Sequence, residues 1–427
     1  MTPNDDHPQR YALVNELHAR PFPALEVPCQ ALYLAVKEPL DAANRDRARD
    51  RAHLAALIDR HGAAHPAPGA THHAARLGRH DLTWESHTEF VTYSAFSPGL
   101  AERPFDPSAT SVFPADWLAS APGKRIAAVL IRIAPLPDDP AKVGALIEDW
   151  FVPESLACSW VLDEAAIIAG DFQIDPAGLM RFAVFVRPGT GKRRVGRIVQ
   201  RLCEIEVYRA MSMLGLGRAR ELTARLNALD PRLSAVVAEL PDDHRTAEAT
   251  LHGLLEISAE LEALATRHTF RFGATFAYEA IANQRIEVLR ETRFQGRQTF
   301  GEFMRRRYDP AMRTVRSAER RLGQMAGRAG RAAELLSTRV EVERSAQNQR
   351  LLESMDRRAD LALRLQHTVE GLSVVAISYY AINLASYMLM PFAEALGLKK
   401  AVLTAALVPA TVALVWVMIR RIRKSMH

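Results

Sequence analysis

The residues near the start of the chain best suited to chemistry are Asn15, Glu16, His18 and Arg20, in the run Asn15-Glu16-Leu17-His18-Ala19-Arg20-Pro21-Phe22-Pro23. Glu16 and His18 are an acid/base couple by type, and Arg20 offers a planar fork for a phosphate or carboxylate. Catalysis also needs a nucleophile or a glycine-rich phosphate loop close by. This run has neither, and two prolines stop it at once. It reads as a polar clamp that docks the N-terminal segment.

Histidine is the second candidate, because half of the fourteen lie between His53 and His87. His61, His65, His72, His73, His80 and His87 stand beside Asp81, Glu85 and Glu89. A metal ion requires ligands converging at fixed distances, and these spacings match neither an HExxH nor a CxxC-H pattern. The stretch HGAAHPAPGATHH reads instead as a Pro/Gly/Ala loop with solvated histidines, so no metal or cofactor is assigned. Pro188-Gly189-Thr190-Gly191-Lys192-Arg193 resembles part of a nucleotide loop, but Val186 replaces the first glycine and Arg193 the closing Ser/Thr. It is expected to be a turn. With no catalytic constellation, the chain is expected not to be an enzyme.

The third group lies in apolar surroundings. Ser373, Tyr380, Asn383 and Tyr387 are spaced seven, three and four apart and share one face of a helix. Polar groups at membrane depth face another helix or a water-filled path, so this stripe predicts either helix packing or a pore lining. The elements that must carry it are two runs without Asp, Glu, Lys or Arg, 371–391 and 401–419. Each is about twenty residues long, enough for a helix to cross the hydrocarbon core. Arg357, Arg358 and Arg364 precede the first run, and Arg420, Arg421, Arg423 and Lys424 follow the second. The positive-inside rule then puts both flanks, the termini and the basic tail 420–427 in the cytoplasm of a multi-pass membrane protein.

Composition sets the remaining bounds. The start carries two early acids and no apolar core, so no secretory signal is read there. Cys29, Cys158 and Cys203 lie far apart, which suits buried thiols in a reducing compartment better than a disulfide framework. The formal charge of +6 is largely juxtamembrane arginine, which anionic headgroups attract. No nucleic-acid-binding motif accompanies it, and that class is set aside.

Between these ends, residues 1–190 alternate strand and helix patterns and are expected to form a mixed α/β cytoplasmic domain. Strands are read at Ala31 to Pro39, Leu82 to Ser86, Glu89 to Phe96, from Arg125, from Ser155, from Ala165 and from Gly178. Helices are read at Asp41 to His61 and from Ala141. Residues 191–243 read as connecting helices, with short pieces around Pro231 and Pro241. Residues 244–370 read as a long antiparallel stalk of coiled-coil type, with a hairpin turn at Asp309-Pro310. Leu251, Leu254, Leu261, His268 and Phe272 form its first seam, and Leu322, Met325, Ala329, Ala332 and Leu336 its second. Arg305, Arg306, Arg307, Arg313, Arg316, Arg320 and Arg321 crowd that turn and offer a surface for an acidic protein partner. The class is therefore α+β: head, stalk and two-helix transmembrane hairpin.

The strings NELHARPF, LTWESHTEF from Leu82, RLCEIEVYRAMSMLGL from Arg201 and TVEGLSVVAISYY from Thr368 resemble an uncharacterised family of bacterial membrane-anchored proteins, a domain of unknown function. The resemblance covers essentially the whole chain and implies an anchored protein with a cytoplasmic N-terminal region, without an activity. In arrangement alone the chain is also similar to CorA-type divalent-cation channels. Those carry Gly-Met-Asn at the outer end of the first span, where this chain has Tyr387-Met388-Leu389-Met390-Pro391. Three functions follow as expectations. The leading one is a membrane-anchored homo-oligomeric scaffold in the lipid bilayer. The alternatives are a CorA-like channel and a metal-binding or enzymatic head.

Overall fold

Strand β1 (Cys29–Lys37) is apolar from Ala31 to Val36 because it is covered on both faces. Tyr33 and Ala35 point into one core, and Leu32, Leu34 and Val36 into another, as a period of two requires. A computed structural model describes residues 6, 7, 9–11, 13, 14, 21–238, 247–395 and 400–425. The clamp residues Asn15, Glu16, His18 and Arg20 lie outside them.

The elements follow as α1 (Arg47–Asp59), β2 (His72–Leu77), β3 (His80–Ser86), β4 (Phe90–Pro98), α2 (Ala115–Ala119) and β5 (Lys124–Pro135). Next come α3 (Ala141–Trp150), β6 (Ala157–Val161), β7 (Ala166–Ile174), β8 (Met180–Val186), α4 (Lys192–Ala238) and α5 (Ala247–Glu287). The chain continues with β9 (Thr292–Arg293), α6 (Phe300–Arg307), α7 (Asp309–Ala395) and α8 (Lys400–Ser425). The sheet order is β2-β3-β4-β1-β5-β8-β7-β6-β9, antiparallel except for the β5–β8 pair. The architecture is α+β: an N-terminal mixed sheet, long helices and two apolar helices at the end.

The two faces of the sheet are covered differently. Leu54, Leu57 and Ile58 of α1, Trp117 of α2, and Val143 and Ile147 of α3 pack on one face, around Trp84 and Tyr93. Val195, Ile198, Val199 and Leu202 of α4 cover the other. His53 is sealed in the first layer. Its Nε2–H donates to the Trp117 carbonyl at 2.9 Å, and its Nδ1 accepts from the Tyr93 hydroxyl at 2.9 Å. Burial holds this imidazole below its ordinary value of 6.5. The unfolded chain therefore binds the proton first, and stability falls as pH drops below 6.5, by at most about 1.4 kcal/mol per pH unit for one proton. Urea midpoints at pH 7 and pH 5 should fall farther apart in the native chain than in His53→Gln.

Contacts divide the chain into two units, Met1–Pro241 with His252–Ala332, and Asp242–Leu251 with Ala333–His427. In the first, α4 runs unbroken through Pro231, where the sequence suggested two short pieces. Leu226, Leu229 and Leu233 are buried on both sides of the proline, and that packing outweighs the lost backbone bond. The expected seams are buried at Leu254, Leu261, His268 and Phe272 and at Leu322, Met325 and Ala329. Ion pairs tie the helices together: Arg267 to Glu221 at 2.9 Å, Arg321 to Asp230 at 3.0 Å, and Arg316 to Glu279. Arg316 and Arg321 thus serve packing, while Arg305, Arg306, Arg307, Arg313 and Arg320 are exposed.

The reversal between the long helices falls between α5 and α6, not at Asp309-Pro310 as the sequence suggested. Thr299 and Glu302 form a capping box at the start of α6. The buried Glu291 carboxylate accepts from Phe300 N and Gly301 N, both at 2.8 Å, and from Ser159 Oγ at 2.6 Å. Asp309 and Pro310 instead open α7, where a first-turn proline costs little. In the second unit, residues 341–369 are exposed all round the helix.

Candidate functional site

A polar cleft lies where β3, β4 and α4 meet the segment Pro21–Pro23. That segment is held by Leu25, which is buried and whose N–H donates to the Lys192 carbonyl at 3.1 Å. It lies against the backbone of α4 at Gly196, a close approach that only glycine permits. The Arg197 guanidinium sits over the Phe22 ring at 5.2 Å. Strand alternation brings Thr83 and Glu85 of β3 to one face, with His87 just beyond the strand end, while Trp84 enters the opposite core. Helical spacing of four aligns Gln200, Glu204 and Tyr208 along α4. The closed end has a volume of about 40 Å³ and is floored by Tyr33, Ser94 and Cys203. The mouth is about 260 Å³ and is rimmed by Phe22, Arg201 and Arg285.

The polar groups are tightly cross-linked. His87 Nε2 lies 3.4 Å from Glu85 Oε2, and its ring stacks on Phe90 at 4.4 Å. Glu204 accepts from Gln200 Nε2 at 3.2 Å and from Arg285. Arg201 donates to the Val288 carbonyl at 3.1 Å, and burial, aided by Arg197, lowers its pKa. Burial pushes the Cys203 thiol and the Tyr33 hydroxyl well up. A thiol so held supplies no thiolate. The cleft can therefore exchange hydrogen bonds and charge with a small polar group, and Glu85 with His87 is an acid/base couple that lines it.

Nothing in the sequence alone marks Gln200, Glu204, Tyr208 or Arg285 as a site, and Glu85 and His87 stand out there only as part of a histidine-rich stretch. The signal was available in part. Thr83 and Glu85 recur at strand spacing and Gln200, Glu204 and Tyr208 at helix spacing, mostly within strings that carry the family resemblance. Of the clamp run, Pro21, Phe22 and Pro23 reach the cleft.

The other histidines disperse. His65 bonds Asp59 at 2.6 Å, His73 the Ala64 carbonyl at 2.9 Å, and His80 the Ser97 hydroxyl at 2.6 Å. His72 and His73 sit on edge strand β2 opposite Glu85 and Trp84, not in a loop. Among the described residues no three His, Cys, Asp or Glu side chains are grouped to hold a metal.

On the polar face of α7, Ser373 and Asn383 are half-buried. Ser378 of α7 and Val415 of α8 are buried in the second unit, whereas Tyr380 and Tyr387 are 72 % and 75 % exposed. At 3.6 residues per turn these tyrosines lie about 180–200° around the helix from Ser378. Both apolar stretches are long enough to cross a membrane, and 6 % of the most apolar window of each is buried.

The model of a family described as a protein of unknown function, DUF3422, matches residues 5–426. No curated protein matches the chain.

Proposed function

Since the chain belongs to the DUF3422 family of unknown function, we propose that it is a bilayer-anchored homo-oligomeric scaffold in which α7 supplies both the first membrane span and the contact between copies. One observation carries the reading. Two apolar helical stretches are long enough to cross a membrane, and only 6 % of the most apolar window of each is buried within one chain. Each large aliphatic side chain left in water forgoes about 1.5–3 kcal/mol of burial, so lipid and further copies are the natural cover. The basic flanks Arg357, Arg358 and Arg364 and Arg420 and Arg421 favour cytoplasmic ends at an inner membrane.

The contact between copies follows from spacing. Leu352, Met355, Ala359, Ala362, Gln366 and Val369 recur at alternating steps of three and four. Ser373, Tyr380, Asn383 and Tyr387 continue in the same phase. The seam thus runs for about 50 Å along α7. Copies inserted in one bilayer with one orientation are parallel, so identical residues meet in register. Ala359 and Ala362 allow close approach, and Gln366 and Asn383 pair across the axis. In this reading the head is a recognition module. In an assembly of more than two copies the same four polar residues surround a common axis, which is the feature that favours a second, channel-type reading.

Cysteine scanning tests the seam, because the native Cys29, Cys158 and Cys203 are buried. Oxidant applied to membranes should link Ala362→Cys and Ser373→Cys into dimers and leave Arg357→Cys, about 200° from Met355 around the helix, unlinked. Equal linking from both faces, or none from Ala362→Cys, removes the proposal.

A further inference from the structure

A second cavity in the head, of about 260 Å³, opens between the end of β1 and the helices α4 and α5. Its charged lining is Lys37, Arg218, Arg267 and Arg271, with Asp41 as the only acid among the described residues. The four cations come from three elements. Lys37 ends β1, Arg218 lies one turn after Leu214 on α4, and Arg267 and Arg271 are one turn apart on α5.

The counter-ions lie outside the lining, Glu89 buried and Glu221 exposed, and are shared. Glu89 takes Arg271, lies 4.0 Å from Lys37 Nζ, and accepts from the Tyr278 hydroxyl at 3.2 Å. Glu221 serves both Arg218 at 3.1 Å and Arg267 at 2.9 Å. Neither glutamate lines the cavity. Asp41 is engaged by Asn44 Nδ2 at 2.8 Å. Each of these two carboxylates is thus divided between two cations, and the surface facing the cavity is left positive.

Lys37 is the unusual member. Its side chain is 8 % exposed, and its ammonium donates to the Glu38 carbonyl at 2.9 Å, with the Glu89 carboxylate only at 4.0 Å. An ammonium has three N–H groups to satisfy, and a buried cation without full partners is costly. Burial and the adjacent Arg271 both press its pKa down. An anion in the cavity relieves both stresses.

We propose that this cavity binds a phosphate-bearing anion, held by the guanidinium groups of Arg218, Arg267 and Arg271 and by the Lys37 ammonium at its floor. A dianion with several acceptor oxygens matches three forks and one ammonium, whereas a single carboxylate leaves most of these donors unused. The proposal is independent of membrane anchoring and of oligomerisation.

Calorimetric titration of the full-length protein in detergent with inorganic phosphate tests it. The native chain should show saturable binding that weakens as salt rises. The rim double variant Arg218→Gln/Arg267→Gln should bind about tenfold or more weakly. These two side chains are partly solvated, so that variant should fold; Lys37→Met, which should abolish binding, carries the greater risk to folding. Arg320→Gln removes an exposed charge elsewhere and should bind as the native chain does. A short-chain phosphatidate titrated in parallel separates the sources: binding much tighter than inorganic phosphate assigns a lipid headgroup, equal binding a soluble phosphate, and both must be lost in the rim variant. No saturable binding of either anion by the native chain, or undiminished binding by the rim variant, overturns the assignment.

Discussion

Gly196→Ala should destabilise the head by about 2–3 kcal/mol and unseat the Pro21–Pro23 rim of the cleft. A Cβ at this position would lie 1.7 Å from the Pro23 carbonyl oxygen and 2.7 Å from its carbonyl carbon. Both are backbone atoms, so no side-chain rotation relieves the clash. The segment cannot simply lift away, because Leu25 is sunk in the core two residues later and its N–H bonds the Lys192 carbonyl. In an open helix the same change is favourable by about 1 kcal/mol. Gly217 on the same helix α4 has nothing within 4 Å of its virtual Cβ and provides that comparison. Thermal unfolding followed by circular dichroism should show a lower midpoint for Gly196→Ala and an unchanged or higher one for Gly217→Ala. Matching midpoints in the two variants would mean that the rim is not packed on α4 as described.

Leu352→Lys/Met355→Lys should dissociate the proposed assembly while leaving the head folded. Both side chains lie on the proposed seam and are exposed within one chain, at 65 % and 58 %. In a parallel bundle each substitution sets like charges against each other at successive core layers, once per copy. The combined cost is several kcal/mol, or a rise in dissociation constant of about a hundredfold or more. The head has no part in this change, since neither residue belongs to the unit that holds the sheet. Size-exclusion chromatography in detergent should show a smaller species with an unchanged circular dichroism spectrum.

The core of the head was legible because its signals are local. The alternation of Tyr33 and Ala35 with Leu32, Leu34 and Val36 identifies a strand buried on both faces, and the β4, β5 and β8 patterns behave likewise. Strand β2 was hidden by its composition, since His72, His73, Ala74, Ala75 and Arg76 carry little β propensity and gain their order from pairing with β3. The position of the long-helix turn was readable from Thr299-Phe300-Gly301-Glu302, a capping box, but Asp309-Pro310 drew the assignment because proline marks a break as often as a start. β9 pairs with β6 across more than a hundred residues, and no periodicity announces that.

The cleft was illegible for a similar reason. Its two rows, Thr83 with Glu85 on a strand and Gln200, Glu204 and Tyr208 on a helix, are each visible in the sequence, but their meeting depends on α4 crossing the sheet face beside β1 and β4. The cationic cavity is harder still to foresee, because Lys37 ends an apolar strand while Arg218 and Arg267 look like ordinary surface charges on helices. The α7 seam could be traced from spacing. That Ser378, on the opposite side of the helix from Tyr380 and Tyr387, is a buried position could not be traced from spacing.

Light scattering of the detergent-solubilised full-length protein, with the detergent contribution subtracted, measures the central claim directly. The account predicts a single protein mass that is an integer multiple of one chain and that drops when Leu352 and Met355 are both lysine. A mass of one chain for the native protein, constant across concentration and in more than one mild detergent, contradicts it.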